Sequence, residues 1–79
     1  MKWKLTNPNS DEWLDVTLYV NDKPVARVYP WAEETLYLKF NDHPELNRMG
    51  WVLSKTDQEL QELRQEFKNY AEKQFKEIA

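Results

Sequence analysis

Apolar and polar residues alternate along four segments in the first half of the chain. Every second residue is apolar in segments 2–6, 13–20, 25–29 and 34–40. This is the period of a β-strand with one buried face. The remaining early segments are rich in Asn, Asp, Pro and Glu, which is typical of turns. The pattern therefore predicts about four strands.

The second and third of these strands are predicted to form a hairpin around residues 21–24. A three-residue loop, 21–23, pairs Leu18 with Ala26 and keeps apolar residues on one face. A two-residue loop of Asp22 and Lys23 would place Leu18 opposite Arg27 instead, because a slip of one residue reverses the faces. We predict the first register, with residues 30–33 as the next connector.

Residues 41–50 carry the signals of one short helix. Asp42 is placed as its N-cap, Pro44 lies in the first turn, and Gly50 follows the predicted end. The apolar run 51–53 is too short for its period to be decisive. It fits either a short fifth strand or a segment packed beneath a helix.

The C-terminal segment 56–79 predicts one long amphipathic helix. Thr56 and Glu59 have the spacing of a capping box, in which each side chain bonds the other residue's backbone N–H. Helical periodicity gathers one apolar stripe: Leu60, Leu63, Phe67, Tyr70, Ala71, Phe75 and Ile78. The stripe also fits a two-stranded coiled coil, although aromatic residues in the seam make that a weaker match.

Strands that precede helices in the chain indicate an α+β fold with an antiparallel sheet. We expect a single domain over 1–79, with strands and loops over 1–54 and the helix 56–79 packed on one sheet face. Residues 51 and 53 are expected to close one edge. The covered face is predicted to carry Leu5, Leu14, Val16, Leu18, Ala26, Val28, Leu36 and Leu38.

The opposite face of the predicted sheet has no second long helix to cover it. It is predicted to carry Lys2, Lys4, Trp13, Asp15, Thr17, Tyr19, Arg27, Tyr29, Thr35, Tyr37 and Lys39. Three hypotheses fit this composition. The face is an ordinary solvated sheet surface, a protein interface rich in aromatic and Arg residues, or a platform on which single-stranded nucleic acid stacks its bases.

The partner-binding hypothesis singles out seven residues. They are Trp13, Tyr19, Arg27, Tyr29, Trp31, Tyr37 and Lys39. A protein partner or a second copy of the chain would contact them, and a homodimer is one form of this hypothesis. In the nucleic-acid alternative, the aromatic rings stack on bases while Lys2, Lys4, Arg27 and Lys39 follow the phosphates.

Composition narrows the setting of the protein. The net charge of −3 is small, and acidic and basic residues are interleaved along the chain. Both observations argue against a polybasic nucleic-acid binder and against an extreme polyanion. The sequence contains no cysteine, which fits a reducing compartment. The first residues do not begin a signal peptide, and no apolar run is long enough to cross a membrane. We expect a cytoplasmic protein without membrane contact.

Catalytic and metal-binding patterns are lacking in the sequence. The single histidine, His43, has only neighbouring carboxylates as co-ligands, and the single glycine, Gly50, excludes a Gly-rich phosphate loop. We therefore expect no enzyme activity, no cofactor and no metal site. We expect a small acidic binding module. Small standalone domains, including those on mobile elements, often act as adaptors or inhibitors, and we expect a role of that class. The alternative is a weak single-stranded nucleic-acid binder.

Overall fold

A computed structural model describes residues 1–78. Over this range, five antiparallel strands form one sheet in the order of the sequence. The elements are β1 Lys2–Leu5, β2 Val16–Val20, β3 Lys23–Trp31, β4 Thr35–Phe40, a 3₁₀ turn Pro44–Leu46, β5 Arg48–Trp51 and α1 Asp57–Ile78. The predicted α+β class, with a long C-terminal helix on the sheet, is confirmed.

The β2–β3 hairpin has the predicted strand pairing but a different loop. Leu18 pairs with Ala26, as expected. The turn has two residues, Asn21 and Asp22, both with positive φ (53° and 65°), which suits the tight turns that match strand twist. The pairing register shifts by one residue after Leu18. As in a β-bulge, one strand therefore has one more residue than its partner at this point.

The predicted connector 30–33 is partly wrong, because Pro30 and Trp31 belong to β3 and pair with β4. The turn follows them, and Ala32 has a φ of 58°. The backbone N–H of Asn41 donates to the carbonyl of Val25. Because the direction of the backbone hydrogen bonds alternates along a strand, the nitrogen of Pro30 points away from β4. The pairing of β2 with β3 ends at Val28. The proline ring therefore removes no ladder hydrogen bond.

The short helix predicted over 41–50 is wrong. The segment contains only the 3₁₀ turn before β5 begins, and Asp42 has a φ of 69° and does not cap the turn. Asn47 explains the early end. Its side-chain oxygen accepts a hydrogen bond from Phe40 N at 2.8 Å, and its Nδ2 donates to Tyr37 Oη at 3.0 Å. These bonds tie the chain back to β4, so the next residues extend along the sheet.

The core lies between the sheet and α1. From the helix it receives Phe67 and Ala71, and the remaining fully buried side chains come from the strands and Leu14. The predicted capping box is present, because Thr56 N donates to Glu59 Oε1 at 3.1 Å and Glu59 N donates to Thr56 Oγ1 at 3.2 Å. The backbone hydrogen bond to Thr56 is the main cause that lowers the pKa of Glu59.

Two tryptophans, Trp3 in β1 and Trp13 in the loop before β2, contact α1. Trp3 Nε1 donates to Glu72 Oε2 at 2.9 Å, and the Lys68 ammonium lies 5.5 Å from the Trp3 ring. Burial lowers the pKa of Lys68. Arg64 stacks 5.2 Å from the Trp13 ring and donates to the Trp13 carbonyl at 2.7 Å. No helix in the described range has the length and apolar character needed to cross a membrane.

Candidate interaction face

The sheet face opposite α1 is divided into rows that run across the strands. Strand pairing aligns Lys4, Thr17, Arg27 and Lys39 in one row, which we call the basic row. The next two rows bring together five large side chains, which we call the aromatic corner: Tyr29, Trp31, Tyr37, Met49 and Trp51. Basic and aromatic residues that are interleaved in the sequence are therefore sorted into adjacent rows.

The aromatic corner combines exposure with internal support. Trp31, Met49 and Trp51 are 56%, 59% and 56% exposed. The rings of Tyr29 and Tyr37 are half-buried and pack edge-on with centroids 5.7 Å apart, and the Trp31 ring lies 6.0 Å from that of Tyr37. Contacts of this kind fix ring positions. These ring contacts support Tyr29, Trp31 and Tyr37, and Met49 and Trp51 extend the apolar surface beside them.

Arg27 is held in the basic row by an ion pair with Asp15. Its Nε and Nη2 donate to the two carboxylate oxygens at 2.9 and 2.7 Å. Desolvation is the largest influence on Asp15 and raises its pKa. Hydrogen bonds from Arg27 and Thr6, with the charge of Arg27, outweigh it and hold the pKa below its ordinary value of 3.8. The hydrogen bond to Asp15 raises the pKa of Arg27.

The ion pair also connects the two parts of the face. The Arg27 guanidinium lies 4.3 Å from the centre of the Tyr29 ring, and Lys4 lies 5.1 Å from that of Tyr19. A cation at such a distance above an aromatic ring is attracted to the face of the ring, which is a cation–π interaction. Arg27 therefore borders the aromatic corner while Asp15 neutralises much of its charge.

Six of the seven residues proposed for partner binding lie on this face: Tyr19, Arg27, Tyr29, Trp31, Tyr37 and Lys39. The prediction that Trp13 lies among them is wrong, because Trp13 packs on the opposite side with Arg64 of α1. The strand begins at Val16. Residues 13–15 lie before the strand, so their apolar–polar alternation does not indicate a face of the sheet.

Met49 and Trp51 are members of the corner that the sequence prediction missed. The sequence pattern predicts a helix over residues 41–50 and predicts that residue 51 closes one edge, whereas Tyr37 pairs with Met49 and Thr35 with Trp51. The order Arg48, Met49, Gly50, Trp51 does alternate large and small or charged residues. That alternation was a usable strand signal, but four residues are too few to outweigh the Pro and Gly signals beside them.

Two other features lie outside the interaction face. A groove of about 350 Å³ lies between the β2–β3 turn and the end of α1, with Val25, Phe40, Phe75 and Ile78 among its lining residues. His43 Nδ1 lies 3.1 Å from Glu45 Oε1 on the surface. Among residues 1–78 no three His, Cys, Asp or Glu side chains are grouped as metal ligands would be.

Comparison with protein-family models, with curated proteins and with solved structures found no match to this chain.

Proposed function

We propose that the chain is a non-enzymatic binding module whose open sheet face contacts a protein partner stoichiometrically. The aromatic corner carries this proposal. Three of its five side chains are more than half exposed, and aromatic residues of this kind dominate the energetics of protein interfaces. Leaving them in water gives no benefit to folding, so their clustering at one corner favours a role in binding.

The charges beside the corner indicate the chemistry of the partner. Lys2, Lys4 and Lys39 are exposed, and Arg27 is paired with Asp15. The face is thus locally basic on a chain of net charge −3. A complementary protein surface would offer apolar side chains to the corner and carboxylates to the basic row, which would also guide the encounter. Binding of this kind suits an adaptor or an inhibitor that occludes its target.

Single-stranded nucleic acid is the second candidate, and one observation favours it. The basic row lies directly beside Tyr29 and Tyr37, as phosphate contacts lie beside stacking rings in such binders. Against it, Asp15 already occupies the guanidinium of Arg27, and the acidic chain as a whole repels a polyanion at long range. We therefore favour the protein partner.

A capture experiment with and without nuclease separates the two candidates. The tagged chain is the bait in a lysate of its source organism, and the eluate is analysed by mass spectrometry and by ultraviolet absorbance. The proposal predicts a discrete protein in near-stoichiometric amount that nuclease does not release. Capture that nuclease abolishes would overturn the proposal in favour of nucleic acid.

An oligonucleotide titration gives an independent check of the second candidate. If nucleic acid binds the basic row, Arg27→Gln with Lys39→Gln weakens binding and lowers its dependence on salt concentration, because fewer counterions are released. The protein-partner proposal predicts weak binding of oligonucleotides that these two substitutions leave unchanged.

A further inference from the structure

The two edges of the sheet differ in their protection against strand pairing. At one edge, β1 carries Lys2 and Lys4, which are both exposed, and lysines on an edge strand discourage pairing with another chain. At the other edge, β5 carries exposed Met49 and Trp51. Its charged residue, Arg48, lies 4.0 Å from the Tyr70 ring of α1. Arg48 is exposed but lies on the helix side, so the open-face side of the β5 edge carries no charge comparable to Lys2 and Lys4.

The backbone of β5 offers hydrogen-bonding groups at this edge. Val52 N donates to the carbonyl of Glu34 at 2.9 Å. Because antiparallel ladders alternate, the amides of Gly50 and Arg48 also point towards β4, whereas the N–H and C=O groups of Met49 and Trp51 point away from the sheet. The same two residues therefore expose both their side chains and their backbone groups.

We infer that β5 pairs antiparallel with β5 of a second copy of this chain, around a two-fold axis at Gly50. Met49 of each copy then lies opposite Trp51 of the other, and their outward groups exchange four hydrogen bonds. Both open faces lie on the same side of the joined ten-stranded sheet. The two aromatic corners meet at the seam and become one apolar surface.

Self-complementarity is what identifies the second copy as the occupant. The outward backbone groups of β5 are spaced symmetrically about Gly50, and the exposed apolar side chains of Met49 and Trp51 lie on either side of it. The pairing also aligns charges. Extended across the seam, the row of Lys39 points to the β3–β4 turn of the other copy, which carries the exposed residue Glu33. The backbone at Lys39 and the backbone of this turn are three strand spacings apart, which is about 14 Å. The pairing keeps like charges at opposite ends of the seam.

This inference shares Met49 and Trp51 with the proposed interface, but it needs no other partner, because the purified chain alone suffices to test it. Hydrogen exchange is measured over a series of protein concentrations, with sedimentation velocity to report size. Slower exchange at Met49 and Trp51 is expected as the dimer forms. The outward amides of the opposite edge, Trp3 and Leu5, are the internal control and remain unchanged. A monomer at every concentration, or protection elsewhere than β5, would overturn the inference.

A proline substitution tests the backbone pairing itself. Met49→Pro removes an outward N–H without breaking a bond to β4, a position at which edge strands tolerate proline. Because each dimer loses two hydrogen bonds, its dissociation constant should rise roughly tenfold or more. Leu5→Pro makes the same change at the other edge and should leave dimerisation intact. Met49→Ala retains the N–H and should fall between wild type and Met49→Pro.

A second variant keeps the test decisive if Met49→Pro fails to fold by circular dichroism. Trp51→Lys places a charge on the β5 edge and should also raise the dissociation constant of the dimer at least tenfold. A dissociation constant that stays at the wild-type value in the folded member of this pair contradicts β5 pairing. Trp31→Ala changes the aromatic corner outside β5, so it should remain dimeric while it loses the partner, and this separates loss of the dimer from loss of partner binding.

Discussion

Gly50 lies where α1 comes closest to the sheet edge. A Cβ built on this residue would lie 3.0 Å from Cζ of Phe67 and 3.1 and 3.2 Å from the methyl carbons of Leu63. Glycine is needed here for space and not for backbone conformation, because its φ is not positive. The sequence pattern predicts that a helix ends at Gly50. Local sequence alone does not distinguish a glycine that ends a helix from a glycine that leaves space for a helix packed against it.

Gly50→Ala should therefore lower the free energy of unfolding by about 1 kcal/mol, because crowding of Leu63 and Phe67 outweighs the gain in backbone rigidity. Urea denaturation measures the change. In a Leu63→Ala background the same substitution should cost less, since the methyl groups it meets are absent. An equal cost in both backgrounds would show that Leu63 is not the residue that it crowds.

Asp15 makes stability depend on acidity. Its pKa is held below its unfolded value, so the Arg27 pair contributes stability above about pH 4 and loses it as the pH falls through the lowered pKa. Asp15→Asn should cost about 1 kcal/mol near neutral pH, the order expected for a partly exposed bidentate pair. The difference from wild type should shrink as acid protonates Asp15.

The measurement is the free energy of unfolding of both proteins from pH 7 down to the acid limit. Arg27→Gln is the matched variant, because it removes the other half of the same pair. If the wild-type and Asp15→Asn curves stay parallel through the acid range, the ion pair does not lower the pKa of Asp15 in solution.

Among the elements, α1 and β5 show why one was predictable and the other was not. The start of α1 depends on Thr56 and Glu59, which lie three residues apart, so the sequence alone predicts it. The 3₁₀ turn and β5 depend on Asn47, whose side chain bonds Phe40 and Tyr37 seven and ten residues away. Such bonds have no signature in local sequence, and the Pro and Gly signals therefore indicated a helix that the fold does not form.

Removal of the cap tests the local part of this explanation. Thr56→Ala should lower stability by about 1 kcal/mol, because Glu59 N loses its side-chain acceptor at the start of α1. Thr56→Ser retains the hydroxyl and should keep most of the stability. Thermal unfolding compares the three proteins. Equal losses in the Ala and Ser variants would mean that the methyl group of Thr56, and not its hydrogen bond, stabilises the helix.

In the molecule as a whole, one face of the sheet packs on α1 and the other face is open. One edge strand, β1, carries exposed lysines, and the other, β5, carries exposed Met49 and Trp51. Strand alternation predicted most of the open face, because a period of two is preserved wherever a strand is long. It failed for Trp13, which precedes β2, and for Met49 and Trp51, which lie in a strand of four residues. The aromatic corner became visible only when register placed β5 beside β4.

Paired capture from lysate tests the location of the interface most directly. The baits are wild type, a corner variant with Trp31→Ala and Trp51→Ala, and Gln65→Ala on the exposed side of α1 as the control. Because both tryptophans are exposed, the corner variant should fold normally, which circular dichroism verifies.

The account predicts that wild type and Gln65→Ala capture the same nuclease-resistant protein, and that the corner variant loses it through a cost of about 2 kcal/mol or more in affinity. A folded corner variant that captures this protein as well as wild type does would contradict the account, because the partner would then bind elsewhere on the chain.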